Sequence, residues 1–120
     1  MSVNEFRDDD TQRSVHPVTE LTGFQRDLLF AVIRVGDRPA TGVAIKREVE
    51  CYYGEEINHG RFYQNLRNLI DAGFVEKRPV DGRTNAHRLT DAAYERLQAH
   101  HRWEADCLCS DRAEKSHAHF

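Results

Sequence analysis

Asn58-His59-Gly60-Arg61-Phe62-Tyr63-Gln64-Asn65-Leu66-Arg67-Asn68-Leu69-Ile70 runs directly into Asp71-Ala72-Gly73-Phe74-Val75. Phe62, Leu66, Leu69 and Ile70 recur at i, i+4, i+7 and i+8, the spacing of one apolar helix face. Asn58 is a suitable N-cap and also a candidate DNA contact, and Gly73 suits the C′ position, where the left-handed conformation carries no Cβ clash. Away from the apolar stripe lie His59, Arg61, Gln64, Asn65 and Asn68, with Arg67 toward the side. That set has arginine and amides but no acid, whereas a solvated helix face ordinarily mixes Glu or Asp with i,i+4 partners. Arginine pairs bidentately with guanine in the major groove, and Asn or Gln with adenine. The face therefore has the chemistry of base reading, with a solvated polar face as the alternative. Tyr63, beside the stripe, can bury its ring edge and donate its hydroxyl to a phosphate, or serve core packing alone.

Upstream, Thr22 and Gln25 form a capping-box pair, and Leu21, Phe24, Leu28, Val32 and Val35 mark a helical face that stops at Gly36-Asp37-Arg38-Pro39. Thr41 caps a shorter helix carrying Ala44, Ile45, Val49 and Tyr52, which ends near Tyr53-Gly54. Downstream, residues 74–80 and 84–89 have strand character. Asp81-Gly82 between them is a hairpin signal, because both residues tolerate positive φ. Thr90 caps a last helix on which Tyr94, Leu97, His101, Ala105 and Leu108 approximate a heptad seam. Helix, helix, helix, hairpin, helix is the order of a winged helix-turn-helix, mainly α with a small β hairpin and a C-terminal dimerisation helix. The expected organisation is a flexible arm over residues 1–20, the domain over 21–109 and a flexible tail over 110–120. On the wing, Arg83 can enter a minor groove or meet a phosphate with help from Thr84 or Asn85, and Lys77, Arg78 and Arg88 can position the backbone. Phosphate contacts fix register while base contacts specify sequence. An exposed hairpin with ordinary surface charge is the alternative.

The run Gly60-Arg61-Phe62-Tyr63-Gln64-Asn65-Leu66, with Leu69 to Val75, resembles the recognition helix of the PadR family, Gly-x-Leu-Tyr-Pro-x-Leu-x-x-Leu-x-x-x-Gly-Leu-Val. Gly82-Arg83-Thr84-Asn85-Ala86-His87-Arg88-Leu89-Thr90 is similar to that family's wing, and the stretch from Leu21 to Leu29 to its first helix. The chain departs from the family pattern at Gln64, where proline is usual, and at His87, where tyrosine is common. The resemblance implies a DNA-binding transcription regulator with double-stranded DNA as partner, working as a homodimer and catalysing nothing. An oxidative-stress role is a further expectation of the same resemblance. The dimer would be held by Tyr94, Leu97, His101, Trp103 and Leu108, which form more apolar surface than a small domain covers alone. A winged helix that binds only protein is the rival reading.

The formal net charge is −3, where DNA-binding domains usually carry a basic excess. Residues 58–70 and 77–88 nonetheless hold Arg61, Arg67, Lys77, Arg78, Arg83 and Arg88 against Asp81 alone. The chain has 14 Arg but 3 Lys, and 10 Asp against 10 Glu, a bias that resembles proteins of salt-loving archaea. In molar salt the Debye length is roughly 3 Å, so an acidic DNA binder is physically reasonable, with cations bound at the DNA interface. No stretch is apolar enough to span a membrane, and the acidic start is unlike a secretory signal, so the cytoplasm is expected. Three cysteines make no disulfide framework. Cys107-x-Cys109 with His100, His101, His117 and His119 could suggest a metal- or redox-sensing tail, but the spacing is tighter than structural zinc sites use, and neither a metal nor a cofactor is expected. Cys51 reads as a small buried hydrophobe. Phosphate-loop, nucleophile-elbow and zinc-protease motifs are missing, which argues against an enzyme.

Overall fold

The chain is described by a computed structural model over residues 18–118, with side chains through Ser110; the arm expected over residues 1–20 lies almost wholly outside the described residues. Helix α1, Gly23–Val35, begins at the anticipated capping box: the Thr22 hydroxyl accepts from the Gln25 N–H, and the Gln25 side chain accepts from the Thr22 N–H. It buries Phe24, Leu28, Val32 and Val35 as the spacing requires, together with Leu29 and Ala31. Gly36, at φ 61°, ends it. Helix α2, Gly42–Tyr53, is capped by the Thr41 hydroxyl and closed by Gly54 in the left-handed region.

Ile45 and Val49 are the buried residues of α2, but Tyr52, expected on the same face, is 79% exposed. Its neighbour turns inward instead. The Tyr53 hydroxyl donates to the Asp27 carboxylate at 2.6 Å, and its ring meets Phe24. Burial and the Asp27 carboxylate push the Tyr53 pKa up to about 12. The hydroxyl needs an acceptor on α1, and that requirement selects Tyr53 over Tyr52. Cys51 is exposed rather than buried, because the face of α2 that packs on α1 is filled by Ile45 and Val49.

Helix α3, His59–Asp71, follows a loop held by Glu50, whose carboxylate accepts from the Ile57 N–H at 2.9 Å and from Lys46 Nζ at 2.8 Å. Those two bonds, the backbone one foremost, hold the Glu50 carboxyl below the usual carboxylate range. Phe62, Leu66 and Leu69 are buried, and burying each such side chain contributes roughly 1.5–3 kcal/mol. Strands β1, Val75–Pro79, and β2, Asn85–Leu89, pair antiparallel with Val75 opposite Leu89 and Pro79 opposite Asn85. The turn is not the two-residue type expected from Asp81-Gly82. Positive φ occurs only at Gly36, Gly54 and Gly73 among the described residues. The Asp81 carboxylate instead accepts from the Arg83 and Thr84 N–H groups, both at 2.9 Å. That side-chain turn organises a longer loop, and the same two bonds hold the Asp81 carboxyl low.

Two compact units divide the chain. The unit Glu20–Tyr94 holds α1 to α3, the hairpin and the first turn of α4. Within it α1 packs on α2, α3 and β2, while α3 packs on β1. The other unit includes the remainder of helix α4, Asp91–Ala118. Thr90 caps α4, its hydroxyl accepting from the Ala93 N–H. The backbone of α4 stays helical past Cys109, where the sequence placed the start of a tail. Ala93, Leu97 and His100 are its buried residues among those whose side chains are described. The expected seam is therefore displaced: His100, not His101, turns inward. Its Nε2 lies 3.1 Å from Glu104 Oε2 without hydrogen-bond geometry.

Candidate nucleic-acid interface

Helix α3 presents its site through its cap. Asn58 Oδ1 accepts from the Arg61 N–H at 2.9 Å, so this predicted DNA contact is first an architectural residue. At 100° per residue, the direction opposite Phe62, Leu66 and Leu69 is occupied by Arg67, Gly60, Gln64, Asn68 and Arg61, all exposed. Asp71, the last residue of the helix, shares that face and is also exposed. The face thus carries one acid that the sequence reading, which set Gly73 at C′ but counted no acid on this face, left off it.

The amides are arranged unequally. Gln64 Nε2 donates to Asn68 Oδ1 at 3.0 Å, leaving an acceptor on Gln64 and a donor on Asn68 along the exposed edge. Asn65 is occupied on both ends: its Nδ2 donates to the Arg61 carbonyl at 2.8 Å and its Oδ1 accepts from Gln25 Nε2 at 3.1 Å. It ties α3 to its own preceding turn and to α1 and is half-buried, unlike the free base reader expected. The Arg61 guanidinium lies 4.1 Å over the Phe24 ring, a cation–π contact that orients the group while its edge donors stay available. His59 is exposed and its ring sits 4.5 Å from that of Tyr63. Tyr63, half-buried, also meets the Phe62 ring at nearly a right angle.

The hairpin divides its cations by face, because successive side chains point to opposite sides of a strand. Lys77 stands opposite His87, and Arg78 opposite Ala86. Lys77 lines a groove with Tyr63, Arg67, Arg83 and Asn85 and also borders a second one, which Arg78 lines with Val32 and Tyr94. Arg88 is ion-paired to Glu76, its direct cross-strand partner, which raises the guanidinium pKa further. The sequence reading counted Arg88 among the DNA-facing cations, but the pairing register commits it to Glu76. Arg83 and Asn85 are exposed and Thr84 half-buried at the wing tip. The wing is fastened by His87, whose backbone N–H and ring Nδ1 both meet the Ala40 carbonyl at 2.9 Å. Nothing in the local pattern signals that fastening, since its partner lies 47 residues away.

Two acids placed near this face in sequence are already neutralised. Glu48 is 3.8 Å from both Arg34 and Arg38, and Glu50 pairs with Lys46. Glu55, Glu56, Asp71 and Asp81 stay exposed. On α4, Tyr94, Trp103 and Leu108 are 45%, 61% and 72% exposed, and His101 is exposed as well. Leu97 is 2% exposed in the single chain, so it is not the uncovered seam residue expected. Tyr94, His101 and Leu108 follow one stripe at seven-residue steps, while Trp103, nine residues after Tyr94, points about half a turn away. Cys107 and Cys109 are exposed. Among the described residues no group of three or more His, Cys, Asp or Glu could hold a metal, and the side chains of His117 and His119 lie outside them. No described helix is long and apolar enough to cross a membrane.

Residues 29–99 match the Transcriptional regulator PadR-like family. A search of curated proteins returned no match. Among solved structures, RosR of H. salinarum grown from NaBr is 38% identical with a TM-score of 0.68, over 83% of this chain and 90% of that one. The RosR-S4 complex gives the same identity and TM-score over 83% and 86% of the two chains. A MarR mutant from E. coli complexed with operator DNA shares the fold, with a TM-score of 0.56 at 21% identity over 68% of this chain and 54% of that one.

Proposed function

The chain belongs to the PadR-like family of transcriptional regulators, DNA-binding proteins rather than enzymes, and on that premise we propose how it reads its target. It binds as a two-fold homodimer that lays α3 in the major groove and the hairpin on the adjacent groove. The observation that carries this is the exposed edge of α3: Arg61 oriented over Phe24, the Gln64–Asn68 pair and Arg67, with Gly60 between them. Arg61 is assigned to a guanine, and the Gln64–Asn68 edge, one acceptor and one donor, matches the N6 and N7 of adenine. Arg83 and Asn85 contact the backbone or minor groove at the wing tip, with His59 and Arg78 at the margins of the interface.

Dimerisation rests on the Tyr94, His101 and Leu108 stripe of α4, where Tyr94 and Leu108 expose apolar surface on either side of the exposed His101. A two-fold dimer sets two copies of α3 about 34 Å apart, so the target is a pseudo-palindrome with half-sites roughly 10 base pairs apart. Cations are taken up between the exposed acids Glu55, Glu56, Asp71 and Asp81 and the phosphates. Selection from random duplexes at molar KCl, followed by footprinting, tests the reading. A symmetric motif with two protected half-sites is expected, and protection of one unsymmetrical half-site would overturn it.

A further inference from the structure

Between α3 and the wing runs an open groove of about 640 Å³ whose walls include Thr41 and Gly42 at the start of α2. Leu66 and Ile70 contribute aliphatic surface, and Arg67, Lys77 and Arg83 bring three cations against the single carboxylate of Asp71. None of these three cations makes an ion pair among the described residues, although elsewhere in the molecule Arg34, Arg38, Lys46 and Arg88 all do. Cations gathered in one groove repel each other, and the single carboxylate of Asp71 does not fully offset that cost. An anionic occupant would.

Tyr63 is built into the same wall with unusual closeness. A Cβ added at Gly42 would lie 2.7 Å from Tyr63 Cε1 and 2.9 Å from its hydroxyl oxygen, distances that no relaxed side chain tolerates. The ring also meets those of His59 and Phe62, which restricts it further. Its hydroxyl makes no hydrogen bond among the described residues. A tyrosine held this firmly with its donor unused is preorganised for a ligand oxygen.

We propose that this groove is a phosphate seat, in which one backbone phosphate per half-site is held by the Tyr63 hydroxyl, Arg67 and Lys77, with Gly42 admitting the tyrosine ring. The inference rests on the DNA-binding reading above and adds a division of labour to it. One edge of α3, with Arg61, Gln64 and Asn68, reads bases. The flank toward the wing, with Tyr63 and Arg67, sets the register of the strand. An open groove lined by three cations suits a continuous backbone better than a small molecule, which favours a concave and mostly apolar site.

The test is a methylphosphonate scan, neutralising one phosphate at a time in a selected duplex, against the parent and the variants Arg67→Ala, Lys77→Ala and Tyr63→Phe. Each variant replaces a group at the surface or a single hydroxyl, and circular dichroism checks that the fold is kept. Each should lose about tenfold in affinity on selected and scrambled duplexes alike. Arg67→Ala and Lys77→Ala should each shift the log–log salt slope upward from the parent's value by about 0.9. One phosphate per half-site should cost the parent about tenfold when neutralised and cost these variants nothing further. Gly42→Ala should reproduce the Tyr63→Phe loss. Additive losses at every phosphate, or a changed base preference in Arg67→Ala or Lys77→Ala, would overturn the seat while leaving the DNA-binding reading intact. A parent that binds no duplex with sequence preference would remove both.

Discussion

Replacing Arg61 by Ala separates the two duties of one side chain. In the free protein its guanidinium covers Phe24 at 4.1 Å, and a cation–π contact at an exposed site contributes about 0.5–1 kcal/mol. Phe24 is 8% exposed, so losing the cover uncovers little apolar surface and stability should fall by no more than about 1 kcal/mol. On DNA the loss is larger. A bidentate arginine–guanine pair discriminates against a wrong base by about 1–3 kcal/mol, which is about five- to 150-fold in affinity. The stack on Phe24 already restricts the side chain, so less entropy is lost on binding, which places the expected value in the upper half of that range. Selection from random duplexes should show the preference relaxed at one position in each half-site and kept elsewhere. Arg61→Lys retains the charge without the fork, so it should keep non-specific affinity and lose the same preference. If Arg61→Ala selects the parental motif, Arg61 does not read a base and its role is the cover of Phe24.

Other outcomes follow from the same structure. Leu108→Asp places a charge on the exposed α4 stripe and should convert a dimer to a monomer at micromolar concentration in light scattering, whereas Trp103→Asp, about half a turn away, should leave the mass unchanged. Specific affinity followed by calorimetry from low to molar KCl should change little or rise, because cations join the complex beside Glu55, Glu56, Asp71 and Asp81; a log–log slope near −6 or steeper, as about six or more phosphate contacts require, would refute this. Glu50→Gln should lower the melting temperature at pH 7. The Glu50 carboxyl is held below its ordinary value of 4.5, so its contribution is fully present above that value and is lost as pH falls through the lower folded value. The difference from the parent should therefore shrink on acidification, and a difference independent of pH would show that the charge is not what holds the α2–α3 loop.

Helix boundaries were legible in this sequence because their causes are local. Thr22 with Gln25, Thr41, Asn58 and Thr90 each cap through atoms within three residues, and the core stripe Phe62, Leu66, Leu69 follows from 3.6-residue periodicity alone. The composition of the α3 face, with Arg61, Gln64 and Asn68 outward, followed from the same periodicity. Competition between neighbours was not legible. Tyr52 and Tyr53 are equivalent in sequence, and the acceptor that chose between them, Asp27, lies 26 residues away. His100 and His101 were separated in the same way by burial. Nor could the pattern tell an available polar group from an occupied one. Asn65 is held by Gln25, 40 residues distant, Arg88 is cancelled by a partner fixed by strand register, and Glu48 by the arginines of the α1 end. Only the tertiary structure brings Gly42, Tyr63 and Lys77 to one groove. Periodicity and capping act over a single turn of chain, while contacts between elements depend on how the whole chain folds back.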